Sequence, residues 1–157
     1  MKKTVFLCIA VLLLLTGCFK TSPTYSFAPI QDESLISEEN RKKLDEYLEE
    51  APKAEKGVSF YAYEIVKMED GGLKANGFVR NNTKDNVTDI FGTFSIKSSG
   101  ETIATADFSL GEQQFGVLNS GDNRPWSLIY KKNQVLIPLE SIETYSVDLD
   151  VSYEIKQ

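Results

Sequence analysis

The stretch YSVDLDVSYEI (residues 145–155) alternates apolar and polar side chains along its whole length. Successive side chains of a β-strand point to opposite faces of the sheet, so this period of two predicts a strand with one buried face and one wet face. The apolar set consists of Tyr145, Val147, Leu149, Val151, Tyr153 and Ile155. The stretch therefore indicates a sheet that packs on one side.

Six further segments upstream have a strand-like composition: 58–66, 73–81, 87–97, 102–110, 115–118 and 124–130. Turn residues such as Gly71-Gly72 and Ser99-Gly100 separate them. Because no helical pattern lies between the strands, a parallel sheet is disfavoured. About seven short strands in about 100 residues predict an all-β fold, an immunoglobulin-like antiparallel β-sandwich over residues 57–157, with a small barrel as the alternative.

One amphipathic helix is predicted ahead of the sandwich, over residues 37–51. Ser37 suits an N-cap, and Pro52 ends the helical pattern. Leu44, Tyr47, Leu48 and Ala51 fall on one helical face. A helix this short is marginal alone, so we expect the stripe to dock on the sandwich, with a partner-binding helix as the alternative.

The amino end has the pattern of an export signal. Lys2 and Lys3 precede the apolar run Val5–Leu15, which is shorter than the roughly 20 residues that a spanning helix needs. The tetrapeptide Leu15-Thr16-Gly17-Cys18 resembles the lipobox of bacterial lipoproteins. That resemblance implies cleavage after residue 17, a covalent diacylglycerol on Cys18 as the only non-protein group, and export to the outer face of the cytoplasmic membrane, where the lipid anchors the chain. A membrane-spanning anchor is the alternative.

Residues 18–36 contain prolines and serines without a sustained period, which predicts a lipidated N-terminus followed by a flexible linker. Fully extended, these residues reach at most about 60 Å.

Composition narrows the chemistry. The formal net charge is −6, there is no histidine, and Cys18 and Cys8 are the two cysteines. Because Cys8 lies inside the predicted signal and Cys18 is predicted to be acylated, we expect no disulfide, thiol catalysis or cysteine–zinc site. The negative charge disfavours nucleic acid and anionic polymers as electrostatic partners.

Two polar clusters offer competing functions. Asp148 and Asp150 lie two residues apart on one strand face, so their spacing of about 6.7 Å approaches that of a carboxylate pair in an inverting glycosidase. The opposing interpretation is a solvated polar face. The segment NNTKDNVTD (81–89) is rich in the oxygens that Ca²⁺ prefers, but it lacks an ordered calcium-loop motif. We therefore predict no metal site and no catalytic residue, and keep a wall hydrolase and a calcium or small-ligand sensor as alternatives.

Three stretches together resemble the SLAP domain of cell-envelope and S-layer-associated proteins of Gram-positive bacteria. They are Gly77–Asn82, Ile103–Leu110, and Gly116-Val117-Leu118 followed by Arg124-Pro125-Trp126. The resemblance covers about residues 57–131 and implies a non-catalytic domain for envelope association.

We therefore predict a membrane-anchored lipoprotein whose sandwich binds or scaffolds an envelope protein or a cell-wall polymer. Trp126 is predicted to be the largest core side chain, with a binding platform as the alternative. The candidate contact residues lie in or beside two end loops: Arg80, Asn81, Asn82, Asp85, Arg124 and Trp126.

Overall fold

Two three-stranded antiparallel sheets pack on one another in this computed structural model, which describes residues 24–138 and 144–156. The strand order is β1-β2-β5 in the first sheet and β4-β3-β6 in the second. The all-β sandwich prediction is confirmed, with six strands among the described residues instead of seven. The strands are β1 (Gly57–Lys67), β2 (Leu73–Asn82), β3 (Asn86–Ser98), β4 (Glu101–Leu110), β5 (Asn123–Tyr130) and β6 (Ser146–Lys156).

The core lies between the two sheets and is built by the alternation of apolar residues. Ala75 and Val79 of β2, together with Leu128 of β5, meet Phe94 and Ile96 of β3, and all five are completely buried. Tyr130 and Phe115 are also completely buried, whereas Trp126 is only half-buried at the edge of this cluster. The prediction that Trp126 is the largest core side chain is therefore wrong. Tyr130, Phe78 and Phe94 are the largest fully buried residues.

Helix α1 (Glu38–Glu50) lies where the apolar stripe predicted it, and the Ser37 hydroxyl accepts a hydrogen bond from the Asn40 amide. The predicted strand over 115–118 does not form. Its first residue ends a short helix, α2 (Glu112–Phe115), and Leu118 makes only an isolated bridge with Val87. A four-residue apolar run carries too little periodicity to separate a strand from a buried turn.

A row of aromatic rings covers the outer face of the first sheet; we call it the aromatic ladder. Tyr47 of α1 stacks on Tyr63 of β1 with ring centroids 4.2 Å apart. Tyr63 contacts Phe78 of β2, which in turn contacts Tyr25, and Tyr25 meets Phe27 edge to face. The helix stripe thus docks on the domain, and Phe78 is buried by elements outside the sandwich.

Residues 25–31, which belong to the predicted linker, lie against the first sheet. Tyr25 bridges Asn123, Ala28 is buried, and the Gln31 side chain donates to the Pro125 carbonyl. The sequence did not predict this packing, because the apolar residues of the segment follow no regular period. The predicted signal (1–17), the lipobox and Cys18 lie outside the described residues. Among the described helices, none has the length and apolar character needed to cross a bilayer.

Candidate functional site

Asn81 organises one end of the sandwich. Its side chain is 1% exposed, and its amide nitrogen donates to the carbonyls of Asp85, Leu118 and Asn119 at 2.9–3.1 Å. Its oxygen accepts from the backbone amide of Thr83. One side chain thus joins the β2–β3 turn to the loop before β5. Asn81 is therefore a structural residue of the predicted contact loop and presents no free polar atom to a partner.

Arg80 and Asn82 hold the segment between α1 and β1, residues 52–56, which we call the linker strap. Arg80 Nη1 donates to the Pro52 carbonyl at 2.6 Å, and Asn82 Nδ2 donates to the carbonyls of Ala54 and Glu55. Arg80 also donates to the Asn123 side chain, and partial burial lowers the pKa of its guanidinium. These two residues thus fix the path of the strap along the end of β1.

Arg124 fastens the turn after α2. Its guanidinium donates to the carbonyls of Phe115 and Val117 and to the Ser26 hydroxyl, and it lies 5.0 Å from the centre of the Phe115 ring. Burial lowers its pKa. Trp126 also contacts Phe115, edge to face, with the two ring centroids 5.2 Å apart. The sequence placed Arg124 and Trp126 among contact residues, but both point into this inner cluster.

The carboxylate pair lies on the solvent face of the second sheet. Asp148 is paired with Lys97 at 2.5 Å, and its side chain is 54% exposed. Asp150 is exposed and lies opposite Thr93 of β3. A glycosidase general acid lies in a pocket shielded from water, whereas Asp148 is exposed and forms an ion pair with Lys97. The geometry therefore gives the hydrolase alternative no support.

Three side-chain oxygens of the oxygen-rich segment 81–89 accept hydrogen bonds from backbone amides. Asn86 accepts from the Ser120 amide, and Asp89, whose φ is 47°, accepts from the Glu112 amide at the start of α2. With Asn81 engaged as above, these side chains serve as turn and helix caps. Within 24–138 and 144–156, no three cysteine or acidic side chains gather as metal ligands would.

A cleft of about 640 Å³ lies between β1 and β6, and we call it the edge cleft. It is lined by residues 58–62 of β1, by residues 145–149 at the start of β6, by the linker strap and by Arg80. Sequence reasoning missed this cleft because it depends on which strands become sheet edges. A period of two reveals strand faces and gives no strand order.

The sheet edges on the two sides of the sandwich differ in whether other segments cover them. The edge of β4 is covered, because Ala104 bridges Val135 and the Leu136 amide donates to the Ile103 carbonyl. The edge of β5 is partly covered by Tyr25. On the opposite side, β1 and β6 are the outermost strands of their sheets, and no described segment makes a strand pair with their outer edges. The edge cleft is the space between these two edges.

The chain is thus a small antiparallel sandwich with a docked helix. A family model described as the SLAP domain matches residues 28–151, and the chain belongs to this family. The match includes α1 and most of β6, beyond the stretches that carried the resemblance. Family membership makes it a protein associated with the cell envelope. No curated protein and no solved structure matches the chain.

Proposed function

We propose that this chain is a lipid-anchored, non-catalytic envelope protein whose sandwich binds or scaffolds another envelope component. The observation that carries the proposal is the order Val5–Leu15, Thr16-Gly17, Cys18 ahead of an envelope-associated domain. A short apolar run that ends in small residues is the pattern of an export signal, and the cysteine that follows completes the resemblance to a lipobox. Two acyl chains supply lasting attachment where one chain does not.

The charge supports a lipid anchor over an electrostatic one. Cleavage after residue 17 would remove two lysines and no acid, so the net charge of −6 would become −8. An anionic chain is repelled by anionic lipid headgroups and anionic wall polymers. Attachment to the bilayer must therefore come from the acyl chains at Cys18.

The packed position of Tyr25 would keep the sandwich close to the bilayer. From Cys18 to Tyr25 the chain has seven residue steps, which reach at most about 25 Å, less than half of the 60 Å that the sequence alone allowed. Tyr25 bridges Asn123 at the start of β5, the end at which the loops of Asn81 and Asn119 lie. In this proposal that end lies nearest the membrane, and the far end of the sandwich points outward.

A non-catalytic role is supported by what the candidate polar residues do. Asn81 and Arg124 donate hydrogen bonds to backbone carbonyls, and Asp148 forms an ion pair with Lys97. Binding is left to the edges and loops of the sandwich. Exposed sheet edges are recognised surfaces for such binding.

The test is metabolic labelling of cells that express the full chain with a palmitate analogue. Wild type is expected to carry label and to lose residues 1–17, as read by mass spectrometry of its first peptide. Cys18→Ala is expected to abolish labelling, and Cys8→Ala serves as the matched control that keeps it. Equal labelling of wild type and Cys18→Ala would exclude the anchor.

Crosslinking in intact cells then identifies the envelope component that co-purifies, and failure to recover one reproducibly would contradict the scaffolding role.

A further inference from the structure

We propose that the edge cleft binds an extended, acidic segment of a partner protein, which adds to β1 as a further strand. This deepens the function proposed above, because it rests on the sandwich having an envelope partner and names the surface and the partner chemistry.

The lining of the cleft indicates that an extended backbone fits there. Five consecutive residues of β1, Val58–Ala62, line it. Consecutive side chains point to opposite faces of a strand, so the one feature that all five share is the strand edge. At about 3.3 Å per residue, this edge is about 16 Å long and accommodates about five residues of an incoming strand.

The strand order places β1 at the edge of its sheet. A seven-stranded immunoglobulin-like sandwich has sheets of four and three strands, whereas the described residues form two sheets of three. Among residues 24–138 and 144–156, no segment pairs with the edges of β1 and β6 that face the cleft, while other segments cover the edges on the opposite side. Outward-pointing amide and carbonyl groups of an edge strand are a ready template for another strand.

The floor of the cleft is apolar. Val58, Phe60 and Ala62 of β1, with Val147 and Leu149 of β6, pack against the core, yet they also line the cleft. An added strand therefore needs apolar side chains at every second position, pointing inward. Its remaining side chains point out past the rim.

The rim selects the charge of those outward side chains. Lys53, Lys56 and Arg80 line the cleft, and none has an ion pair with another described residue. The acidic residues of the lining are Glu55 and Asp148, and Lys97 already neutralises Asp148. The rim therefore has an excess of positive charge on a protein whose net charge is −6. Carboxylates alternating with apolar residues match this rim and floor.

A second copy of the chain fits less well. Two copies meeting at this cleft around a two-fold axis would bring the same lysines of the strap toward one another, because such an interface is self-complementary. Like charges at close quarters oppose that contact. The partner segment is therefore expected to come from a different protein.

The first experiment selects from a displayed library of random ten-residue peptides against the detergent-solubilised full chain. Enriched peptides are expected to alternate apolar and acidic residues. A synthetic peptide of the enriched sequence should slow amide hydrogen exchange in residues 57–62 and leave the outer face of the second sheet unchanged. Enrichment of basic or neutral peptides, protection elsewhere, no enrichment at all, or a stable dimer in sedimentation that buries the cleft would overturn the proposal.

The second experiment changes the rim in both directions. Lys53→Glu combined with Lys56→Glu is expected to weaken binding of the selected peptide by about fivefold or more, and Glu55→Gln is expected to strengthen it by about twofold. All three residues are exposed, so the fold should tolerate these changes. Lys131→Glu combined with Lys132→Glu makes the same charge change beside the covered edge of β4 and should leave affinity unchanged. Equal effects of the two lysine pairs would refute recognition at the cleft.

The two proposals fail separately. Loss of the lipid anchor, or absence of a crosslinked envelope component, would remove the proposed function and leave the measured peptide site standing. A partner whose binding is indifferent to Lys53→Glu/Lys56→Glu would preserve the proposed function and remove the edge cleft as its site.

Discussion

Replacement of Asn81 by alanine should be among the most damaging polar substitutions in this domain. The change removes one amide group that donates to three carbonyls and accepts from Thr83. Each of the three carbonyls keeps a second donor, namely Thr83 Oγ1 for Asp85, the Val87 amide for Leu118 and the Asp122 amide for Asn119, so none is left unpaired. An intramolecular hydrogen bond contributes about 1 kcal/mol net, and the substitution removes three donated bonds and one accepted from the Thr83 amide. We therefore expect Asn81→Ala to lower the free energy of unfolding by about 3 kcal/mol.

The assay is urea unfolding of the full chain followed by the fluorescence of Trp126, which packs edge to face on Phe115. A loss of about 3 kcal/mol corresponds to a decrease in melting temperature of about 10 °C for a domain of this size. The slope of the free energy against urea should stay unchanged, because the substitution removes contacts and leaves the overall burial as it was.

The neighbouring residue provides the matched control. Asn82 is exposed and donates to two carbonyls of the linker strap, so Asn82→Ala should cost about 1 kcal/mol or less. If Asn81→Ala were no more destabilising than Asn82→Ala, the claim that Asn81 joins the two end loops would be refuted.

Three tyrosines give further predictions. Tyr47→Ala should cost about 2 kcal/mol in urea unfolding, because it removes the 4.2 Å stack on Tyr63, whereas Tyr153→Ala on an exposed position should cost less than half as much. Tyr130→Phe should raise the melting temperature by a few degrees, about 1 kcal/mol, because the Tyr130 hydroxyl is buried without a hydrogen-bond partner among the described residues. An unchanged or lower melting temperature would show that the hydroxyl is satisfied. Burial raises the pKa of Tyr63 to about 12, so the neutral form is favoured in the folded state, and stability should fall as pH rises from about 10 to 12. Tyr63→Phe should lessen that fall in a pH series of unfolding curves, and an identical pH profile would contradict it.

The strands were predictable because each depends on a local period. The stretch from Tyr145 to Ile155 alternates so regularly that it locates β6 within one residue at each end, and α1 follows from the Ser37 cap and Pro52. Local periodicity nevertheless fails where apolar residues serve turns. Phe115 is completely buried, but it ends a helical turn that Gly116 terminates with φ at 80°. Four residues are too few to distinguish those outcomes.

The functional surface was less predictable because it depends on contacts distant in the sequence. Arg80, Asn81 and Arg124 were selected as contact residues because they are polar and lie near loops. Two of them are buried, and all three donate hydrogen bonds to backbone carbonyls. A buried polar residue that organises a loop has the same one-dimensional signature as an exposed one that binds a ligand. Burial, which depends on the whole fold, separates them.

The stretch Gly77–Asn82 carried the family resemblance. Its first three residues pack the sheets of the domain and do not form a ligand-binding surface. A Cβ on Gly77 would lie 2.2 Å from the Tyr61 carbonyl, so only glycine permits this approach of β1 to β2. Phe78 belongs to the aromatic ladder and Val79 to the core.

The remaining residues of that stretch connect it to the edge cleft. Arg80 and Asn82 hold the carbonyls of the linker strap, and the strap carries the two lysines of the rim. Because these bonds fix the backbone and leave the lysine side chains free, the same stretch that builds the sheet also positions the charge at the cleft. Asn82→Ala should therefore weaken peptide binding at the cleft more than its small effect on stability would account for, whereas Asn81→Ala should affect both through unfolding alone. If the ratio of affinity loss to stability loss were equal in the two variants, the claim that the linker strap positions the lysines of the edge cleft would be refuted.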